Sequence, residues 1–202
     1  MATYEMVNCY GEPGAGKTTY LSKLALSYLN IGWNVFTLGV HVDGCHYIED
    51  VNRLGQSPWL PPLSLILIDE SGCSLNNQMV LKSELRTYFK NFRHAKHCIW
   101  YFSQDVNDTN IVLRRLTMRY VYLQKFIFGF SGAGTLKYRD GIKVFNPRDS
   151  VLDRFHGFGE QVRGYKMPSL FDWHIFFRPI YYKYFDSYIL PEGVEQLDEY
   201  ET

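Results

Sequence analysis

Gly11-Glu12-Pro13-Gly14-Ala15-Gly16-Lys17-Thr18 satisfies G-x-x-x-x-G-K-[ST] at every fixed position. The glycines let the backbone curl until successive N–H groups point inward and form a nest for anionic oxygens. Lys17 then reaches β- and γ-phosphates, and the Thr18 hydroxyl is a ligand for Mg²⁺. A helix opening here adds the positive end of its dipole. Gly11, Glu12, Pro13, Gly14, Ala15, Gly16, Lys17, Thr18 and Thr19 are therefore the expected nucleotide-binding residues, with ATP and Mg²⁺ as cofactors.

Asp69-Glu70 closes the apolar run Leu63-Ser64-Leu65-Ile66-Leu67-Ile68. A hydrophobic strand followed by an acid and a Glu is a Walker B arrangement. In a parallel sheet the end of such a strand lies beside the phosphate loop. Asp69 would hold Mg²⁺ directly or through water. Glu70 would orient and polarise an attacking water. The plainer alternative is that the two acids cap the helix that follows. Gln104 comes just after the apolar run His97–Phe102. If that strand neighbours the Walker B strand, an amide at its end faces the γ-phosphate and reports nucleotide state.

Lys82, Arg86, Lys90, Arg93 and His97 recur at i+4 and i+3 spacing. They read equally as a solvated face and as a contact surface for nucleic-acid phosphates. Arg93 stands at the helix end and is the sharper candidate for an arginine finger reaching a neighbouring subunit's ATP. Arg114, Arg115 and Arg119 form a second basic group that suits a subunit interface or a phosphate. The histidines show no zinc-ligand spacing, and Ser71-Gly72-Cys73-Ser74 is not a nucleophile elbow.

These residues need a particular framework. Strand and helix signals alternate, as in a parallel sheet with crossover helices. Tyr4–Tyr10 reads as the first strand, and a helix from about Lys17 to Asn30 stops near Gly32. Trp33–Leu38 is the second strand. Residues 40–62 are punctuated by glycine and proline and read as irregular. Leu63–Ile68 is a central strand. A helix is expected from about Gln78 to Arg93, with an apolar stripe of Leu81, Leu85, Tyr88 or Phe89, and Phe92. His97–Phe102, a helical turn at 111–117 and Tyr120–Leu123 follow. From Phe126 to Asn146 the glycines suggest hairpins rather than another βα unit. The expected organisation is an ATPase core over 1–125, an extension over 126–191 that completes the domain, and a solvated tail over 192–202 with five acids and no base.

The chain has 202 residues and formal net charge +0. Any nucleic-acid contact must come from a local patch. Cys9, Cys45, Cys73 and Cys98 form no C-x-x-C pair and read as reduced thiols of a cytoplasmic protein. No secretory signal opens the sequence, and no apolar run is long enough for a bilayer. The densest, Trp173–Tyr182, is broken by His174, Arg178 and Pro179. It reads as packed core or a docking face, with a membrane interface as the alternative.

Taken in order, these pieces resemble the Zot family of filamentous-phage assembly ATPases, within the FtsK–HerA branch of P-loop motors. The matching stretches are Gly11–Thr19, Leu65–Ser71, Phe92-Arg93-His94 leading to Ser103-Gln104, and Asn110–Leu116 leading to Lys125. Tyr184-Phe185-Asp186-Ser187-Tyr188 is similar to a short segment near the end of the family's ATPase domain. The resemblance extends to about Pro191. It implies a RecA-like α/β core with a mostly parallel sheet flanked by helices, and a small β-rich, aromatic C-terminal extension. It further implies a homo-oligomeric ring moving viral DNA by packaging into a capsid or by extrusion. The expected place is the host cytoplasm, the periphery of the inner membrane, or the virion, with a capsid or membrane-complex partner. Zot-type chains usually continue through a membrane span, which this sequence lacks. A packaging motor of an icosahedral virus is therefore the close competitor. From other classes, a small-molecule P-loop kinase and a nucleotide-binding scaffold without turnover also fit the motifs.

Overall fold

The computed structural model describes residues 4–69, 75–76, 78–106, 109–138, 165–166, 168 and 172–186. Glu70, residues 71–74, His156 and the acidic tail lie outside the described residues.

The strands are β1 (Met6–Tyr10), β2 (Asn34–Leu38), β3 (His41–Val42), β4 (His46–Tyr47), β5 (Ser64–Ile68), β6 (His97–Ser103), β7 (Arg119–Lys125), β8 (Phe130–Thr135), β9 (Lys137–Tyr138), β10 (Tyr165–Lys166), β11 (Trp173–Phe177) and β12 (Phe185–Asp186). The helices are α1 (Lys17–Leu29), α2 (Ser83–Asn91) and α3 (Ile111–Leu116). Eight strands form one sheet in the order β11-β8-β7-β1-β6-β5-β2-β4. From β7 through β4 neighbouring strands are parallel, while β8 runs antiparallel to both β7 and β11. The chain has a RecA-like α/β fold: a mostly parallel central sheet flanked by helices, with a β-rich, aromatic C-terminal extension.

The central strands are apolar almost throughout because both faces of the sheet are covered. Alternate residues point to opposite faces. Val7, Cys9, Leu65, Leu67, Cys98, Trp100 and Phe102 pack on one side with Tyr20, Leu21 and Ala25 of α1. Met6, Ile66, Ile68, Ile99 and Tyr101 pack on the other with Leu85, Tyr88 and Phe89 of α2 and Leu113 of α3. Buried Cys9 behaves as one of the small apolar groups of this core, and burial pushes its thiol well up.

Two sequence expectations change. The helix expected from Gln78 begins only at Ser83. The carbonyls of Asn76 and Met79 instead accept hydrogen bonds from Asn110 Nδ2, at 3.3 and 2.7 Å, and Asn76 bridges to Thr109. A tertiary hydrogen bond thus claims the Met79 carbonyl, which the expected helix would have used. Leu81 is still buried in the core, but from a segment outside the helix. Within the span read as irregular, β3 and β4 form short pairings, with β12 and β2 respectively, and a 3-10 turn spans Val51–Gly55.

Beyond β7 the chain reverses at residues 126–129, where Phe128 and Gly129 both have positive φ. β8 then returns along β7, as the glycine spacing led us to expect. β11 adds the last strand on this side of the sheet, and its Phe176 reaches the α1-side core. A 3-10 segment, Arg178–Tyr184, follows at once. No helix among the described residues is long and apolar enough to cross a membrane.

Candidate nucleotide-binding site

The parallel strands bring three strand ends to one edge of the sheet. Tyr10 pairs beside Ser103, and Ile68 beside Tyr101. The phosphate loop therefore leaves β1, Gln104 leaves β6 and Asp69 leaves β5 at the carboxyl edge, where open α/β sheets bind ligands. β6 lies between the other two strands. This meets the neighbour condition attached to Gln104 on sequence grounds, and the Gln104 side chain is exposed there.

The loop is held tightly at its start. Gly11 N–H donates to Ser103 O at 3.3 Å. A Cβ on Gly11 would lie 2.6 Å from Leu123 O, so only glycine lets the loop enter between β6 and β7. The loop ends at Gly16, whose φ of 93° is left-handed. Gly16 is the N-cap of α1, no side chain caps the helix, and its first turn contains no acid. The positive end of the α1 dipole is left to an anion from elsewhere.

Lys17 Nζ donates to Gly11 O at 2.9 Å and Glu12 O at 3.1 Å, so the ammonium folds back over its own loop. Thr18 Oγ1 donates to Asp69 Oδ2 at 2.8 Å, across 51 residues of sequence. Asp69 is buried. A hydroxyl and a carboxylate at this separation are hard oxygen donors of the kind Mg²⁺ takes in nucleotide sites. Thr19 is buried one position further on, under the start of the helix.

Other sequence candidates lie apart from this site. Arg93 is exposed in the turn between α2 and β6. It is therefore at the amino edge of the sheet, with the full seven residues of β6 between it and the phosphate loop, roughly 20 Å at ~3.3 Å per residue. Lys82, Arg86 and Lys90 are exposed on or next to α2. His97 does not belong to their stripe. It is fully buried: its Nδ1 lies 2.9 Å from Tyr88 Oη, and its Nε2 lies 3.1 and 3.0 Å from the carbonyls of Leu60 and Pro61. Two carbonyls around Nε2 require the proton there, so Nδ1 accepts from the tyrosine. Burial is the leading influence and holds the His97 pKa below its usual value. Arg119 is likewise engaged structurally, paired with Glu5 at 2.5 Å and lying 5.2 Å from the Trp100 ring.

Two residues that sequence reasoning missed touch the loop. Ser131 Oγ, buried in β8, donates to Ala15 O at 2.8 Å. Arg178 Nη1 donates to Gly14 O at 3.1 Å. They stand 116 and 164 residues from their partners. No local motif marks them; only the antiparallel extension folding back along β7 brings them to the loop.

No family model matches the sequence, and no curated protein is significantly similar to it. Solved structures do resemble it. The N-terminal domain of zonular occludens toxin from Neisseria meningitidis aligns with a TM-score of 0.50 and 20% identity, covering 66% of this chain and 84% of that one. The genome packaging NTPase B204 from Sulfolobus turreted icosahedral virus 2 aligns with a TM-score of 0.51 and 13% identity, covering 63% and 78%. The flagellar accessory protein FlaH from Methanocaldococcus jannaschii aligns with a TM-score of 0.50 and 14% identity, covering 70% and 82%. At these identities the likeness is one of fold: the chain shares the α/β fold of these structures.

Proposed function

We propose that this protein is a Mg²⁺-dependent ATPase that moves viral DNA during phage assembly, working as a homo-oligomeric ring. The observation that carries the nucleotide-hydrolysing part of this reading is the bond between Thr18 and Asp69 at the mouth of an uncapped α1. It joins a phosphate nest, a helix dipole and a pair of metal-ligand oxygens in one place. B204, a genome packaging NTPase, has been solved with sulfate and with the ATP analogue AMPPCP. Its shared fold supports nucleotide binding here, and the DNA would be moved by packaging into a capsid or by extrusion.

In this mechanism the loop amides and the α1 dipole bind the phosphates. Lys17 leaves the Gly11 and Glu12 carbonyls and neutralises charge on the β- and γ-phosphates. Thr18 and Asp69 hold Mg²⁺, which supplies charge neutralisation when bound. Glu70 takes the proton of the attacking water. Gln104, between the two motifs, senses the γ-phosphate. Arg93 serves a neighbouring subunit's site, since β6 separates it from its own. The basic residues Lys82, Arg86 and Lys90 contact DNA phosphates. The protein acts in the host cytoplasm, where the genome enters the capsid.

The test is steady-state ATP hydrolysis by the purified chain, with and without single- and double-stranded DNA, at low and moderate salt. Mg²⁺-dependent turnover stimulated by DNA is the expected result. Turnover indifferent to DNA, with phosphoryl transfer to a metabolite, would move the protein to the kinase class.

A further inference from the structure

The C-terminal extension places a second cation on the phosphate loop. Arg178 directly follows β11 and opens a 3-10 segment with Pro179 in its first positions. Its backbone N–H donates to Gly129 O at 3.0 Å, and its own Nε donates to the same carbonyl at 3.3 Å. This double contact to one oxygen fixes the direction of the side chain. Gly129 in turn packs against Phe177 and Pro179, the residues on either side of Arg178. The stem of Arg178 lies over Gly16, where an added Cβ would come 2.9 Å from its Cδ. The guanidinium therefore ends at the tip of the loop, on Gly14 O.

The chemistry of this contact is incomplete. A guanidinium carries five donors and a permanent charge. Its hydrogen bonds here go to two neutral carbonyls, and no carboxylate among the described residues pairs with it. Lys17 also donates to loop carbonyls, Gly11 O and Glu12 O, at the other end of the loop. A cation parked on a loop carbonyl beside a phosphate nest has a stronger acceptor within reach once a polyphosphate arrives.

We infer that Arg178 is a phosphate-contacting residue supplied in cis, which moves from Gly14 O to the β- or γ-phosphate of a bound nucleoside triphosphate. The antiparallel extension is then the part of the chain that detects how many phosphates the nucleotide carries. The inference rests on the reading of the loop as a nucleotide site. A residue that only braced the loop would affect all nucleotides alike, whereas a contact beyond the α-phosphate separates ATP from AMP.

The experiment displaces a fluorescent ATP analogue from the full chain with ATP, ADP and AMP, in wild type and Arg178→Gln. ATP affinity should fall about tenfold in the variant, as expected for a lost charge-assisted bond, while AMP affinity barely changes. Equal losses for ATP and AMP, or no loss, would overturn the inference. A second measurement needs no variant: phenylglyoxal labelling of wild-type Arg178, followed by mass spectrometry. Saturating ATP should protect it and saturating AMP should not. Equal labelling with and without ATP would also overturn the inference. Nucleotide binding that Lys17→Ala abolishes while Arg178 stays labelled and dispensable removes this inference alone. A wild-type chain that binds no nucleotide removes the nucleotide-site reading together with it.

Discussion

Thr18 and Asp69 share a 2.8 Å hydrogen bond although 51 residues separate them. The bond unites the phosphate loop and the acid at the end of β5 into one donor set. Each residue alone is a motif position; together they bring two hard oxygen donors to one point. Asp69→Asn keeps the size and the acceptor oxygen but removes the charge. Mg²⁺-dependent ATP affinity should fall by at least about tenfold, while metal-free nucleotide binding changes little. Titration with and without EDTA measures both, and equal affinities in the two proteins would remove Asp69 as a metal ligand.

Lys17 and Glu70 should separate binding from chemistry. Lys17→Ala removes the cation that neutralises the phosphates, so binding and turnover both drop. Glu70→Gln keeps the shape but not the base, so ATP still binds while hydrolysis slows by about 10²–10⁴-fold. Equilibrium binding beside single-turnover hydrolysis distinguishes the two, and normal turnover in Glu70→Gln would exclude it as the water-activating group.

Arg93 stands at the edge of the sheet opposite its own phosphate loop, so any effect on hydrolysis would have to pass between subunits. Arg93→Ala and Lys17→Ala should each be inactive alone. Mixed, they should regain a fraction of wild-type ATPase, because some sites combine an intact loop with a neighbour's intact arginine. A mixture as inactive as its components would show that Arg93 supplies no such finger.

His97 predicts an acid sensitivity of the fold. Its folded-state pKa is depressed, chiefly by burial, so the unfolded chain binds the proton more readily. Its contribution to stability is therefore full above the unfolded value of about 6.5 and is lost as pH falls through the lower folded value. His97→Gln breaks the bonds to Tyr88 and to the Leu60 and Pro61 carbonyls. It should cost about 1–3 kcal/mol at pH 8, and the gap to wild type should narrow by pH 5. Denaturant melts at the two pH values test this; a constant gap would mean that the histidine does not titrate on unfolding.

The sequence determined the elements whose signals are local. The Gly11–Thr18 spacing, the apolar runs of β5 and β6 and the glycines after β7 place the loop, the central strands and the hairpin, because each depends on neighbours within a few residues. The order of the strands was not written there. Pairing of β6 with both β1 and β5 decides that Gln104 emerges between the two motifs and that Arg93 faces away from them. Spacing also grouped His97 with solvent-facing cations, yet burial at the start of β6 makes it a neutral core residue. The helix expected from Gln78 begins only at Ser83, and Asn110, distant in sequence, takes the Met79 carbonyl inside the expected span. Ser131 and Arg178 reach the phosphate loop only through antiparallel pairing of the C-terminal strands. Periodicity and motif spacing describe contacts along the chain. Contacts across more than a hundred residues arise when apolar faces are buried together, and that is settled only in the folded molecule.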